Sequence, residues 1–205
     1  LLMLHPTGMP LNLRAMSLSF FRSLLRNPTT LGAIWPSSPF LAKEMVQASD
    51  LHKASSVVEL GPGSGAFTGH ILASLQSGAH FTAIEKCPIL AKEVSGKFPD
   101  ARIIQGCATQ LSDHLNSEKI PRPDAILSGL PWAIFDQTLQ NSILREVYSS
   151  LADGGVFSTF AYYGPHRLRS GQRFRKNLDR TFSDVRRTRV VMRNFPPAFV
   201  YSCKR

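Results

Sequence analysis

Two carboxylates and three glycines stand at a spacing that could hold a small charged ligand. Glu59 lies two residues before Gly61, and Gly61, Gly63 and Gly65 alternate through VVELGPGSGAFT. Glu85 follows twenty residues after Gly65, at the end of a second apolar run. Glycines at the end of a buried strand let the chain turn sharply and bring its backbone close to a ligand. A carboxylate placed like Glu85 can accept hydrogen bonds from ribose hydroxyls. Taken as Gly61-x-Gly63-x-x-Ala66, the loop also fits a dinucleotide. Glu59 separates the two readings, because a carboxylate there would repel a pyrophosphate and suits a ligand carrying an ammonium and a sulfonium. That ligand is S-adenosylmethionine. Lys86, beside Glu85, and Cys107 and Ala108, at the end of the next strand, are further candidate cofactor contacts. Cys107 and Ala108 could equally form an ordinary strand-to-helix turn.

A second constellation is DAILSGLPWAIF, where an apolar run ends in Ser128-Gly129-Leu130-Pro131-Trp132. At this edge of an α/β sheet, amine methylases of DNA and RNA carry Asn or Asp followed by Pro-Pro or Leu-Pro and an aromatic residue. Their polar side chain and a main-chain carbonyl hydrogen-bond a planar amine. Ser128 keeps the small polar start but loses the amide, so a planar base loses an anchoring acceptor. A small aliphatic amine can manage with main-chain acceptors and an aromatic wall, since an indole face attracts an ammonium. Trp132 could instead simply pack the core. Ser128, Gly129, Leu130 and Trp132 are therefore candidate acceptor-site residues, and Ser128 is also a candidate cofactor contact. Tyr162 and Tyr163 are candidates for the same aromatic wall. His166 is a candidate base, and Asn194 a candidate amine contact. Arg167, Arg169 and Arg193 are candidates for an anionic group on the acceptor.

These residues need a frame, and the hydropathy pattern supplies one. Strands are expected over 57–60, 80–85, 102–105, 125–127 and 156–161. Helices are expected over 67–75, 89–97, 109–115, 135–151 and 171–181. Such alternation makes a parallel sheet with helices on both faces. The runs RRTRVVMRN and PPAFVYSCKR, joined through Asn194-Phe195-Pro196-Pro197, are expected as a terminal antiparallel pair. The expectation is an α/β, Rossmann-like class I methyltransferase: seven strands, mostly parallel, with an antiparallel C-terminal strand and an N-terminal amphipathic helix.

The charge is uneven. The chain has 24 Lys and Arg against 14 Asp and Glu, a net charge of +10, which asks for an anionic partner. Over residues 12–27, Leu13, Met16, Phe20 and Leu24 share one helical face, with Arg14, Arg22 and Arg26 on the other side. A basic amphipathic helix of this kind lies at a membrane interface, or else packs as an ordinary surface helix or lid. Ser38 before Pro39 is expected to cap the helix that follows. The expected organisation is a disordered or artefactual stretch at 1–10, a helical membrane-docking or lid segment at 11–50, and a catalytic domain at 51–205. The opening LLML is not read as a signal peptide. Three cysteines, widely spaced, suggest neither a disulfide framework nor a metal site.

FFRSLLRNPTTLGAIWPSS, VVELGPGSGAFT, ILSGLPW, FAYYGP and RNFPPAFVY occur in that order. Together they resemble the bacterial phospholipid N-methyltransferase family over roughly residues 12–205. The resemblance implies S-adenosylmethionine-dependent methylation of an aminolipid such as phosphatidylethanolamine, towards phosphatidylcholine. It also implies a cytoplasmic protein held peripherally on the inner membrane through the Arg14, Arg22 and Arg26 helix, with the cofactor beneath that helix. A monomer is expected, and nucleic acid is not the expected partner. The alternatives are an ornithine-lipid N-methyltransferase, an RNA adenine N6-methyltransferase, or a membrane-docking module on a decayed fold.

Overall fold

The computed structural model describes residues 37–205. The expected helix at 12–27 with its three arginines, and the stretch 1–10, lie outside the described residues. Seven strands form one sheet: β1 (Ser56–Leu60), β2 (His80–Glu85), β3 (Arg102–Gln105), β4 (Ala125–Ser128), β5 (Val156–Tyr162), β6 (Asp184–Arg187) and β7 (Ala198–Lys204). Their order is β3-β2-β1-β4-β5-β7-β6. The first five are parallel, and β7 is antiparallel to both β5 and β6. The order reverses between β1 and β4, so the crevice for a ligand opens at the carboxyl ends of these two strands.

Six α-helices are described: α1 (Pro39–Ala48), α2 (Thr68–Leu72), α3 (Pro88–Lys97), α4 (Leu111–Ser117), α5 (Gln137–Ser150) and α6 (Arg169–Thr181). Strand side chains alternate between faces. Val58, Leu60, Ile126, Phe157 and Tyr201 pack with Leu111 of α4, Ile143 and Leu144 of α5, and Phe174 and Leu178 of α6. Val57, Phe81, Ala83, Leu127 and Val200 pack on the other side with Leu41 and Met45 of α1 and Ile71 of α2. Burying each such large side chain contributes about 1.5–3 kcal/mol. Among the described residues no helix is long and apolar enough to cross a membrane.

The Ser38 hydroxyl caps α1 by accepting the Leu41 N–H at 3.2 Å, with Pro39 opening the helix. Leu41, Ala42 and Met45 are fully buried, and the Ser158 and Ser202 hydroxyls both donate to the Ala48 carbonyl. Residues 37–50 are thus built into the packed domain, and the boundary expected at 50/51 does not separate them from it. The helix expected over 135–151 is α5, which starts after Asp136, whose carboxylate accepts the Leu139 N–H at 2.8 Å, and a separate 3-10 turn over Trp132–Ile134 precedes it. The extended run after α6 also differs. Its ladder to β7 starts at Asp184 and stops at Arg187. Beyond it the Thr188 hydroxyl accepts the Val200 N–H at 3.1 Å, and the chain leaves the sheet with one more bridge, Val191 to Ala198.

Asn194 ties that departing chain to α1. Its side-chain oxygen accepts the Ser38 N–H at 2.9 Å, and its amide donates to the Pro196 carbonyl at 2.7 Å. Both bonds go to main chain, so the expected amine contact at Asn194 is a structural clip. Asn194→Ala is expected to destabilise the domain by about 1–3 kcal/mol through the lost buried bonds. Thermal melts check this, with about 2–4 °C lost per kcal/mol in a domain of this size.

Candidate active site

A cavity of about 640 Å³ opens at the carboxyl ends of the parallel strands. One half is the glycine loop and its neighbours. The loop is left-handed at Gly61, Gly63 and Gly65, with φ of +68°, +57° and +86°. A Cβ on Gly65 would come within 2.6 Å of the Phe98 ring, so that glycine lets the loop seat on the end of α3. A Cβ on Gly63 would meet nothing within 4 Å, and Gly63 lines the cavity. Glu85 also lines it. Its two oxygens accept the Gly63 N–H at 3.1 Å and the Cys87 N–H at 2.9 Å, so one carboxylate ties the glycine loop to the start of α3. Lys86, Cys107 and Ala108 join the same lining. Burial alone would raise the Cys107 thiol, but the Thr109 hydroxyl and amide and the Lys86 ammonium bring it below its ordinary value.

Glu59 is elsewhere. It is 0% exposed and is not among the residues lining the cavity. One carboxylate oxygen accepts the Thr68 hydroxyl at 2.7 Å, and the other, Oε1, is buried without a partner. Burial pushes its pKa up to about 8, helped by the Glu85 charge and opposed by the Thr68 hydrogen bond. A protonated Glu59 repels no pyrophosphate, so the carboxylate that meets the ligand is Glu85. Glu59 braces β1 against α2 from beneath the loop.

The other half of the cavity is walled by the β4 tip, β5 and α6. Gly129, Leu130, Trp132, Tyr162 and His166 all line it. Gly129 touches the glycine loop: a Cβ there would sit 2.7 Å from the Gly61 carbonyl oxygen. Ser128 is fully buried, and its hydroxyl accepts both the Trp132 indole N–H at 3.1 Å and the Leu130 N–H at 3.3 Å. Trp132 is 2% exposed and stacks on Phe174 at 4.9 Å, with Phe135 and Phe157 meeting it edge to face. Trp132 thus lines the cavity while almost wholly buried among three aromatic rings, which leaves little indole face open to a cation. Gln140 completes this support by donating to the Trp132 carbonyl at 2.7 Å and accepting the Asn177 amide at 2.9 Å.

Tyr162, like Trp132, lines the cavity, and burial raises its phenol above the ordinary value. Tyr163 lies outside the lining, beside His166 at 5.2 Å and under Arg167 at 5.6 Å. The His166 Nδ1 accepts the Gly164 N–H at 3.1 Å. Burial lowers its pKa, as do Arg187 and Arg167, against a hydrogen bond with the Tyr162 backbone. A neutral ring accepting at Nδ1 carries its proton on Nε2, so it has no spare lone pair for an incoming proton, and His166 does not fit the role of base. Arg167, Arg169 and Arg193 do not line the cavity or converge. Arg193 lies over the Phe40 ring, and Arg169 lines a separate groove with Arg173, Lys176 and Arg180. Sequence reasoning missed Phe174, Gly171 and Leu168, which bring α6 into the wall. The Gly171, Phe174 and Leu178 stripe of that helix was the available signal.

Comparison with known proteins divides along the same line. The family model of ribosomal RNA adenine dimethylases matches residues 26–106, which hold the glycine loop and Glu85 but not the β4 tip. An ornithine lipid N-methyltransferase of Singulisphaera acidiphila is 27% identical over 90% of this chain and 94% of its own length. A ribosomal RNA small subunit methyltransferase A of Corynebacterium jeikeium is 31% identical over 53% of this chain, and the match spans 36% of that protein. The crystal structure of the N-methyltransferase NodS from Bradyrhizobium japonicum superposes with a TM-score of 0.64 at 15% identity, covering 82% of this chain and 97% of that one. An O-methyltransferase from Bacillus cereus, in complex with SAH, gives 0.66 at 15% identity and 91% of each chain. The sheet is the Rossmann-like methyltransferase sheet expected from the sequence. Fold and cradle define a class I, S-adenosylmethionine-dependent methyltransferase. The residues fit that cofactor: open space at Gly63, a cavity-facing carboxylate at Glu85 and small side chains at Cys107 and Ala108.

Glu85→Ala is expected to weaken S-adenosylmethionine binding by about 1.5–3 kcal/mol, read by calorimetry on the folded variant. Glu59 makes a second prediction. Its pKa is raised in the folded state, so its contribution to stability is full below 4.5 and is lost as the pH climbs towards about 8. Glu59→Gln removes that dependence. Thermal melts of the ligand-free proteins are expected to favour the variant most above pH 8, with the difference moving towards wild type at pH 5.

Proposed function

We propose that the protein methylates the aliphatic amine of a membrane aminolipid, using S-adenosylmethionine. The observation that carries this reading is the β4 tip. Its polar side chain, Ser128, is fully buried and is held by Leu130 and Trp132. The tip thus presents no amide or carboxylate to a planar base. Among the hydrogen bonds of the described residues, the carbonyls of Ser128, Leu130, Pro131 and Trp132 already accept from Thr159, Trp132, Ile134 and Gln140. The Gly129 carbonyl is left as the acceptor this tip can offer an amine N–H.

The cofactor supplies a methyl group on a sulfonium, and the acceptor nitrogen must approach it as a neutral amine. The chain's contribution is alignment by the Gly61–Gly129 contact and exclusion of water by the apolar wall. The Tyr162 phenol, kept protonated by burial, adds a polar group at that wall. With His166 unsuited as base, the ammonium proton leaves to solvent or through an acceptor on the lipid itself.

The likeness to an ornithine lipid N-methyltransferase supports an ornithine-type head group over phosphatidylethanolamine. The adenine-dimethylase reading draws its support from the match over residues 26–106, which stops short of the acceptor side. Action at the cytoplasmic face of a membrane, through the segment bearing Arg14, Arg22 and Arg26, belongs to the same proposal, as does a monomeric enzyme. The test supplies methyl-labelled S-adenosylmethionine with micelles of ornithine lipid, micelles of phosphatidylethanolamine, or ribosomal RNA. Label is expected in lipid, foremost ornithine lipid. Label confined to RNA would overturn the proposal.

A further inference from the structure

A surface knob stands where α1 meets the chain between β6 and β7. Met192 is 71% exposed, Phe195 55% and Phe40 48%, the first and second on that chain and the third in the first turn of α1. Arg193 lies over the Phe40 ring at 4.9 Å. Arg189 and Arg193 are absent from the ion pairs of the described residues. The knob is held in place, because buried Asn194 binds the Ser38 main chain on one side and the Pro196 carbonyl on the other. Ser37, the next residue back from that clip, lines the active-site cavity. Apolar tips and two arginines without an ion pair among the described residues therefore flank a segment that adjoins the cavity lining at Ser37.

We infer that this knob is a membrane-inserting element. Met192, Phe195 and Phe40 enter the headgroup–acyl boundary of an anionic bilayer, and Arg189 and Arg193 meet lipid phosphates. The chemistry fits a bilayer better than a protein. Three protruding apolar side chains flanked by arginines suit shallow insertion, and arginines near an anionic leaflet are attracted to it. A stable protein interface buries about 800 Å² on each partner, far more than three side chains supply. The inference rests on the aminolipid reading and deepens it, since a knob clipped next to the lining residue Ser37 would let the head group enter the cavity without leaving the membrane.

The test uses the full chain and two variants. Met192→Ser with Phe195→Ser is expected to lower the partition onto phosphatidylglycerol vesicles about 10-fold or more, measured by sedimentation. S-adenosylmethionine affinity should stay at the wild-type level. Met192→Trp is expected to add a fluorescence component, beyond that of the native tryptophans, that brominated acyl chains quench. Unchanged vesicle partition, together with an added indole component that brominated chains leave unquenched, overturns the knob. So does a wild-type dimer that the double serine variant converts to monomer, which would make the patch a contact between copies. Shielding of the added indole from acrylamide before any lipid is present also overturns it, the patch then being covered by residues 1–36. Absence of lipid methylation by wild type, with vesicle insertion intact, would remove the aminolipid reading and leave the knob standing.

Discussion

The site depends on a backbone contact between two loops. Gly129, at the end of β4, lies so close to Gly61, at the end of β1, that a single methyl group between them would collide with a carbonyl oxygen. The contact sits where the strand order reverses, and the Gly129 N–H donates to Leu60 at 2.9 Å, extending the β1–β4 ladder by one bond. Everything that gives the cavity its shape is stacked around it. Glu85 ties the β1 loop to α3, and the Ser128 hydroxyl holds the β4 loop closed onto Trp132. The cofactor half and the acceptor half are thus one rigid unit. That is the form alignment catalysis takes when the protein offers little acid–base chemistry of its own.

Polar side chains in this unit mostly serve the backbone. Ser128, Asn194, Gln140 and Glu85 each hold main-chain groups that loops would otherwise leave unpaired in a buried setting. Glu59 is the exception, with one oxygen unmatched and its acidity suppressed by burial. Such a group stores sensitivity to any charge brought near it.

The sheet and the cradle were legible because their signals are local. Apolar runs alternating with helical periodicity define β1 to β5, and the glycines of a strand-to-helix turn can be recognised without knowing what they pack against. Trp132 shows where such reading stops. Its type and its place after β4 are the same whether the indole faces a ligand or the core, and Phe174, more than 40 residues on, decides between the two. His166 stops it in another way: a hydrogen bond from Gly164 to one ring nitrogen assigns the proton, and no spacing encodes that. The run expected over RRTRVVMRN pairs as a strand only up to Arg187, where a threonine hydroxyl at 188 replaces a ladder carbonyl.

The position of β7 has a consequence for how the molecule comes together. β7 lies between β5 and β6, although it follows both in the chain. Until residues 198–204 have been synthesised, β6 has no strand to pair with and the outer edge of β5 stays open. The α1 helix, the first element among the described residues, finds much of its packing surface only when β7 arrives. Early and late segments are thus interlocked, so the nascent chain carries an unfinished sheet edge from the completion of β5 at Tyr162 until β7 has been added. Unpaired edges of that kind invite association with other chains.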